Sequence, residues 1–215
     1  MLETQDLTRA YGAVAALDGL DLSILGGECV ALMGPNGSGK TTAAQLISGM
    51  LEPTAGWAEI RGYSIHREPD AVSARRHLAY VPDAARLYDD LTVTDHLRLV
   101  AAAHGAAGGS LETRCEKLLK RLGLEDRSQF FPPQLSRGMR QKTAIACALI
   151  RPFSLLVLDE PVVGLDTSSI DVLGDMIREA LAAGQAVLLM THSDAFAASV
   201  ATRILHLEDG HLVGR

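Results

Sequence analysis

Short apolar runs alternate with helical patterns along much of the chain. Compact apolar runs at residues 28–33, 155–158 and 186–190 predict strands that are buried on both faces. Between them, apolar residues recur at helical spacing, and a Gly-rich turn follows the first run and leads into a helix predicted over residues 40–50. This alternation predicts an α/β fold with a mostly parallel sheet.

The two ends of the chain have a different pattern. Residues 17–24 and 56–65 are short, alternating and interrupted by glycine, which predicts an antiparallel β-layer near the N-terminus. Near the C-terminus, Asp209-Gly210 separates two alternating runs, residues 204–208 and 211–213. Asp-Gly in this position predicts a type I′ hairpin.

The middle of the chain, about residues 91–150, is almost wholly helical in pattern. The spacing predicts one helix over residues 92–104 with Thr92 as its N-cap, and a second over 111–122 that ends at Gly123. A further helical run covers residues 140–150. We therefore expect a helical segment between the strands of the sheet.

Composition narrows the class of protein. The chain has 215 residues, 47% hydrophobic and 21% charged, as in a folded protein with one domain or one domain plus an inserted subdomain. Its formal net charge of −6 offers no general attraction for nucleic acid or anionic lipid. Three isolated cysteines, Cys29, Cys115 and Cys147, are interpreted as small buried hydrophobic residues in a reducing compartment.

The chain shows no pattern of its own for export or membrane insertion. Its first residues are acidic and do not resemble a signal peptide. No apolar run reaches the roughly 18–20 residues that a membrane span needs. We expect a cytoplasmic protein that reaches a membrane only through a partner.

A Gly-rich segment between the first buried strand and the following helix matches the phosphate-binding pattern GxxxxGK[ST]. Its residues are Gly34, Pro35, Asn36, Gly37, Ser38, Gly39, Lys40, Thr41 and Thr42. Glycines let backbone N–H groups converge on phosphate oxygens, Lys40 is expected to reach the β- and γ-phosphates, and Thr41 to ligate Mg²⁺. Alone, the motif predicts a P-loop nucleotide protein and leaves kinases, GTPases and motor ATPases open.

The apolar run at residues 155–158 ends in two adjacent carboxylates, Asp159 and Glu160. By itself this pattern also fits a strand that stops at a solvated acidic turn. Together with a P-loop, Asp159 suits the outer coordination of Mg²⁺, and Glu160 could polarise a water for attack on the γ-phosphorus.

Residues 135–141, LSRGMRQ, resemble the ABC signature LSGGQ. From about residue 2 to 213, the order of motifs is similar to that of an ABC transporter nucleotide-binding domain. The resemblance implies a RecA-like P-loop core with an N-terminal antiparallel β-subdomain. It also implies that residues 1–215 form one ABC ATPase domain, with a helical subdomain inserted at about residues 84–150.

The resemblance also assigns roles to single residues. Tyr11 resembles the aromatic residue that stacks on adenine, and His192 resembles the switch histidine that contacts the γ-phosphate. Ser136 and Gly138 of the signature precede a helix and would present a hydroxyl and N–H groups to a phosphate. Asp166, in the D-loop GLD of residues 164–166, would bridge two subunits, and it could also cap the next helix.

These roles imply ATP and Mg²⁺ as ligands and a second ATPase subunit as a partner. In the family, two chains meet head-to-tail, and each signature completes the P-loop site of the other. We expect the second subunit to be an identical chain. Catalysis is assigned to Glu160, His192 and Lys40.

The chain departs from the family pattern at two places. Asp83 stands where the Q-loop usually carries Gln, and it could act on the Mg²⁺ through water. We expect a tolerated replacement that leaves the coupling to the membrane partner intact, with a reduced or retuned ATPase rate as the alternative. Arg137 and Met139 replace the usual Gly and Gln of the signature. The form LSRGMRQK resembles that of the ABC-2 group of exporters.

The preferred hypothesis is the ATP-hydrolysing subunit of an exporter, held at the cytoplasmic face of the membrane by an integral membrane permease. One alternative is a soluble ABC ATPase that acts on ribosomes or DNA. The acidic balance and single module speak against that alternative, and no nucleic acid partner is expected. Another alternative is an interaction subunit that binds nucleotide without hydrolysing it, against which Glu160 and His192 speak.

Overall fold

The computed structural model describes residues 1–213 and separates into two compact units. The first unit contains residues 1–80, 153–160 and 176–213. The second unit contains Val81–Pro152 and Pro161–Asp175. Within residues 1–213, ten strands and seven α-helices build these units. In chain order they are β1 (Leu2–Tyr11), β2 (Val14–Ile24), β3 (Cys29–Met33), α1 (Lys40–Ile47), β4 (Ala55–Ile60), β5 (Tyr63–Ser64), α2 (Asp70–His77), β6 (Leu78–Val81), α3 (Val93–Ala103), α4 (Leu111–Arg121), α5 (Arg137–Leu149), β7 (Leu155–Asp159), α6 (Thr167–Ala182), β8 (Ala186–Thr191), α7 (Asp194–Val200), β9 (Arg203–Glu208) and β10 (His211–Val213).

A six-stranded sheet forms the centre of the first unit, in the order β10-β9-β3-β8-β7-β6. β3 is parallel to β8 and β9, and β7 is parallel to β8. Every residue of β3, β7 and β8 is buried, as their continuous apolar sequences predict for strands covered on both faces. The predicted parallel sheet is therefore confirmed.

A four-stranded antiparallel sheet, in the order β2-β1-β4-β5, lies in the same unit. Its central strand β1 pairs Leu2 with Ile24 on one side and with Ile60 on the other. These three residues are almost fully buried and belong to one hydrophobic core that also includes side chains of β3, α1, β7 and β8. The predicted antiparallel layer is confirmed, although the sequence pattern did not identify β1.

The C-terminal hairpin has the predicted turn. β10 pairs antiparallel with β9 through Glu208 and His211. The two residues between them, Asp209 and Gly210, have φ values of 46° and 83°. Positive φ at both central positions is the signature of a type I′ turn, whose twist suits the flanking strands.

The second unit contains α3, α4 and α5, the first part of α6, and two short 3₁₀ turns at Glu125–Arg127 and Pro132–Gln134. The Thr92 side chain accepts a hydrogen bond from the Asp95 N–H and caps α3, as predicted. Gly123 has φ 65° and follows the last turn of α4, which confirms the predicted helix end. No helix within residues 1–213 is long and apolar enough to span a membrane.

The cysteines are free thiols, two of them buried and Cys147 partly buried. Burial raises the pKa of Cys29 to about 12, and burial is also the largest cause of the rise in the pKa of Cys147 to about 12. A protonated thiol in an apolar environment acts as a small hydrophobic residue, which agrees with the sequence interpretation.

Candidate functional site

The P-loop connects β3 to α1. At two of its positions, backbone atoms of neighbouring strands leave room only for glycine. A Cβ on Gly34 would lie 2.1 Å from the Leu207 carbonyl oxygen, and a Cβ on Gly39 would lie 2.5 Å from that of Ala16. Gly39 also has φ 106° and stands at the N-cap of α1. No other residue type can occupy these positions without displacing a strand.

The turn of the C-terminal hairpin holds the P-loop in place. The Gly210 N–H donates to the Ser38 carbonyl (3.0 Å), and the Gly210 carbonyl accepts from the Asp18 N–H in β2 (2.9 Å). The P-loop is therefore fixed by a turn about 170 residues later in the chain. The Asp209-Gly210 pattern predicts this turn but not its contact with the P-loop.

Lys40 lies at the start of α1 with its ammonium group directed at the P-loop. Its Nζ donates to the carbonyl oxygens of Gly34 (2.7 Å) and Pro35 (3.0 Å), and it lies 3.9 Å from Oε1 of Glu160. Only 6% of the side chain is exposed. A cation beside a helix N-terminus favours the binding of a phosphate group.

Glu160 follows β7, and its backbone and carboxylate are both held in place. Its φ is 47°, in the left-handed region that costs energy for a residue with a Cβ, and its N–H donates to the Met190 carbonyl (2.9 Å). Oε2 lies 2.9 Å from Nδ1 of His192 and 3.4 Å from Oγ1 of Thr191. The structure thus brings Lys40, Glu160 and His192 together, with the carboxylate between the ammonium and the imidazole.

Two of the residues predicted to act on Mg²⁺, Thr41 and Asp159, are paired in the first unit. Oγ1 of Thr41 donates to Oδ1 of Asp159 (3.4 Å), and Asp159 is fully buried at the end of β7. A hydroxyl and a carboxylate are hard oxygen ligands, and Mg²⁺ in proteins is commonly bound by one or two such groups together with phosphate oxygens. The donor set therefore fits Mg²⁺.

Ser38 also fits a phosphate ligand. Its hydroxyl is buried and has no hydrogen-bond partner within residues 1–213. A buried hydroxyl without a partner is costly, and an oxyanion bound in the P-loop would satisfy it. Thr42 is half-buried in α1, and Asn36 is exposed at the tip of the loop.

Tyr11 is the last residue of β1 and is 53% exposed. The guanidinium carbon of Arg9 lies 4.6 Å from the centroid of its ring. An exposed aromatic ring with one face against a cation can stack on a purine base, so the structure agrees with the predicted role but does not test it.

The signature residues lie in the second unit, at the start of α5. Oγ of Ser136 accepts a hydrogen bond from the Met139 N–H (3.2 Å) and caps the helix. A Cβ on Gly138 would lie 2.3 Å from the carbonyl oxygen of Gly164 in the D-loop. Glycine at this position is therefore required by the fold of the second unit, in addition to any contact with a phosphate.

Asp166 caps α6, which confirms its predicted role as a helix cap. Its Oδ1 accepts from the hydroxyls of Ser168 (2.7 Å) and Ser169 (2.7 Å) and from the Ser169 N–H (2.8 Å), and Lys142 of α5 lies 3.2 Å from Oδ2. These hydrogen bonds, that from the Ser168 hydroxyl first, hold the pKa of the carboxyl far below its usual range. Its role between two subunits stays a prediction.

Asp83 is exposed in the loop that follows β6. The preceding residue, Pro82, accepts a hydrogen bond through its carbonyl from Nε2 of Gln141 in α5 (3.3 Å), and Gln141 is buried. The start of this loop is thus attached to the signature helix, a contact that the sequence pattern did not indicate. The proposed action of Asp83 near the metal stays a prediction.

The ABC transporter family profile matches residues 17–163, well over half of the chain and from β2 to just before the D-loop. The chain belongs to the ABC transporter ATP-binding family.

Among its relatives, the ABC-type transporter ATP-binding protein EcsA of Bacillus subtilis is 34% identical over 100% of this chain and 86% of EcsA. The SkfA peptide export ATP-binding protein SkfE of the same organism is 32% identical over 99% of this chain and 87% of SkfE. The daunorubicin/doxorubicin resistance ATP-binding protein DrrA of Streptomyces peucetius is 32% identical over 99% of this chain and 64% of DrrA.

Solved ABC structures confirm the fold. An ATP-binding subunit of an ABC transporter is 37% identical and superposes with a TM-score of 0.93 over 100% of this chain and 88% of that one. A dimeric ATP-binding cassette in a post-hydrolysis state, bound to ADP and Pi, is 28% identical with a TM-score of 0.89 over 100% and 97% of the two chains. The predicted P-loop ATPase fold, with its antiparallel β-layer and helical segment, is that of an ABC cassette.

Proposed function

We propose that this chain is the ATP-hydrolysing subunit of an ABC exporter of the ABC-2 type and drives a separate membrane-spanning permease. The proposal of ATP hydrolysis rests on the position of the Glu160 carboxylate, which is held between Lys40 and His192 beside the Thr41–Asp159 pair. The names of SkfE and DrrA, a peptide export protein and a drug resistance protein, support export.

The P-loop binds the triphosphate. Its backbone N–H groups and the N-terminus of α1 face the phosphates, Lys40 exchanges its carbonyl partners for β- and γ-phosphate oxygens, and Ser38 donates its hydroxyl. Thr41 and Asp159 would hold Mg²⁺, which would neutralise charge on the phosphates when it is bound. Tyr11 stacks on the adenine.

Glu160 acts as the general base. Its carboxylate accepts a proton from the water that attacks the γ-phosphorus, and the hydrogen bond from His192 orients it. The strained backbone at φ 47° fixes the direction in which the side chain leaves the strand. Lys40 stabilises the charge on the transferring group, so positioning and electrostatics supply most of the rate enhancement.

Two identical chains would form the working enzyme. Ser136 and Gly138 at the start of α5 offer an N-terminal helix end to the triphosphate held by the partner's P-loop, and Asp166 faces the partner in the same interface. The dimeric state of the ADP-bound cassette supports this arrangement. Each chain would be one ABC ATPase domain over residues 1–215, with a helical subdomain at about residues 84–150. Asp83 would act on the Mg²⁺ region through water.

The test of hydrolysis is Glu160→Gln, which keeps the size of the side chain and removes its basicity. We expect phosphate release to fall below detection, while Mg-ATP binding is retained and an ATP-bound dimer accumulates on gel filtration. Glu3→Gln, at an exposed position of β1, is the matched control and should leave turnover unchanged. Absence of ATPase activity in the wild type, even with its permease, would exclude the proposed enzyme.

Export requires a membrane partner, so its test is separate. The tagged chain, purified from membranes in mild detergent, should bring down an integral membrane protein, and ATPase activity should rise when the two are reconstituted in liposomes. The protein should then localise to the cytoplasmic face of the cell membrane. Recovery of the chain on ribosomes instead of with a membrane protein would contradict the exporter assignment.

A further inference from the structure

Arg9 is the side chain that covers one face of Tyr11. Its guanidinium carbon lies 4.6 Å from the ring centroid, within the range of a cation–π contact. The two residues lie two positions apart near the end of β1, where side chains of a strand share a face. The planar guanidinium can stack on an aromatic ring, which the compact ammonium of lysine does less well.

A second contact fixes Arg9 beside the ring. Its NH1 group donates to the carbonyl oxygen of Glu52, in the segment after α1 (2.9 Å). Its Nε is buried and has no hydrogen-bond partner within residues 1–213. A conformation in solvent would satisfy that nitrogen, so the Glu52 bond and the ring contact must together offset the cost of its burial.

Tyr11 needs such a support because it lies at the tip of the β1–β2 hairpin. It pairs with Val14, which is 68% exposed, and the tyrosine itself is 53% exposed. A side chain in this position would otherwise change rotamer freely, and a base that stacks on it would bear the entropic cost of fixing the ring. With Arg9 on one face, the opposite face is the one available to a base.

We propose that Arg9 is a positioning residue for nucleotide binding: it holds the Tyr11 ring in the orientation that stacks on the adenine. The proposal rests on the proposed ATP-binding function and adds a residue to it. Arg9 acts on the base only through Tyr11, so it contributes to the affinity for ATP and not to the affinity for the phosphates.

The test measures dissociation constants by calorimetry with Mg-ATP and with magnesium tripolyphosphate, which lacks the base. Exposed cation–π contacts change an equilibrium constant by about 2- to 5-fold, so Arg9→Met should weaken ATP binding by about that factor and leave tripolyphosphate binding unchanged. In a Tyr11→Leu background, Arg9→Met should have no further effect. Arg9→Lys, which keeps the charge, should lose less affinity for Mg-ATP than Arg9→Met.

Arg67→Met, at an exposed arginine of the same unit, is the control for loss of a positive charge and should change neither constant. Unchanged or tighter ATP binding by Arg9→Met would overturn the proposal, as would an equal loss for both ligands or an undiminished loss in the Tyr11→Leu background. Each of these results leaves the proposed function intact. A wild-type chain that binds no ATP would reject the function itself.

Discussion

Replacing Gly138 by alanine tests how closely the signature helix and the D-loop pack. The added Cβ would lie 2.3 Å from the carbonyl oxygen of Gly164, closer than nonbonded carbon and oxygen atoms approach. The obstructing atom belongs to the backbone of a turn, so no side-chain rotation relieves the contact. The start of α5 or the turn must therefore move.

The expected cost follows from two opposing effects. Overpacking at a site that cannot relax costs about 1–3 kcal/mol, and alanine in place of glycine in a helix recovers up to about 1 kcal/mol. With about 2 kcal/mol for overpacking, the middle of that range, the net loss is about 1–2 kcal/mol in the free energy of unfolding. For a chain of 150–250 residues, each kcal/mol lowers Tm by about 2–4 °C, so we expect a fall of roughly 2–8 °C.

Unfolding by heat and by urea should be followed without nucleotide, because a phosphate contact of the signature then contributes nothing. Gly108→Ala is the matched control: it lies in an exposed connection, its φ is not in the left-handed region, and a Cβ there would meet nothing within 4 Å. Its Tm should stay within about 1 °C of the wild type. If Gly138→Ala is as stable as the wild type or more stable, the close packing of α5 against the D-loop does not limit this position.

Two further changes test other parts of the site. Gly39→Ala should abolish Mg-ATP binding in calorimetry, because its φ of 106° and the Ala16 carbonyl 2.5 Å from a Cβ both exclude a side chain; affinity within twofold of the wild type would contradict this. Asp166→Asn should lower the urea midpoint at pH 7. Because folding lowers the pKa of Asp166, the charged form stabilises the native state above the unfolded pKa of about 3.9, and this contribution is lost as the pH falls further. The difference between the two urea midpoints should therefore shrink below about pH 4, and a constant difference would exclude the hydrogen-bonded carboxylate as its cause.

The sequence predicted the central sheet well because its strands have continuous apolar runs. β3, β7 and β8 are buried on both faces, and short continuous apolar runs bounded by turn residues are typical of such strands. β1 was missed because apolar and polar residues alternate irregularly in its sequence, LETQDLTRAY, and because its pairing with β2 contains register shifts. The short helices α2 and α7 were missed because seven or eight residues contain too few turns to show a period.

The sequence predicted those residues of the candidate site that belong to motifs. It did not predict the contacts that arise from packing. Motif order indicated that Lys40, Glu160 and His192 belong together, and the structure places the Glu160 carboxylate 3.9 Å from the ammonium and 2.9 Å from the imidazole. No motif indicated that Gln141 holds the carbonyl of Pro82, or that Lys142 pairs with Asp166. Such contacts depend on side chains that meet only when the second unit has folded.

The glycines of the P-loop are needed for two reasons: ligand binding, which the motif predicts, and packing, which the structure shows. A phosphate cradle was expected to need all of them for the same reason, namely free approach of backbone N–H groups to the ligand. That reason suffices at Gly37, which has φ 84° and nothing within 4 Å of a Cβ. At Gly34 and Gly39 a side chain is excluded by the carbonyl oxygens of Leu207 and Ala16, which belong to the protein itself and not to a ligand. The shape of the cradle is therefore set largely by the strands around it, so alanine at either position should disturb the native packing before any ligand is added, whereas alanine at Gly37 should strain only the loop.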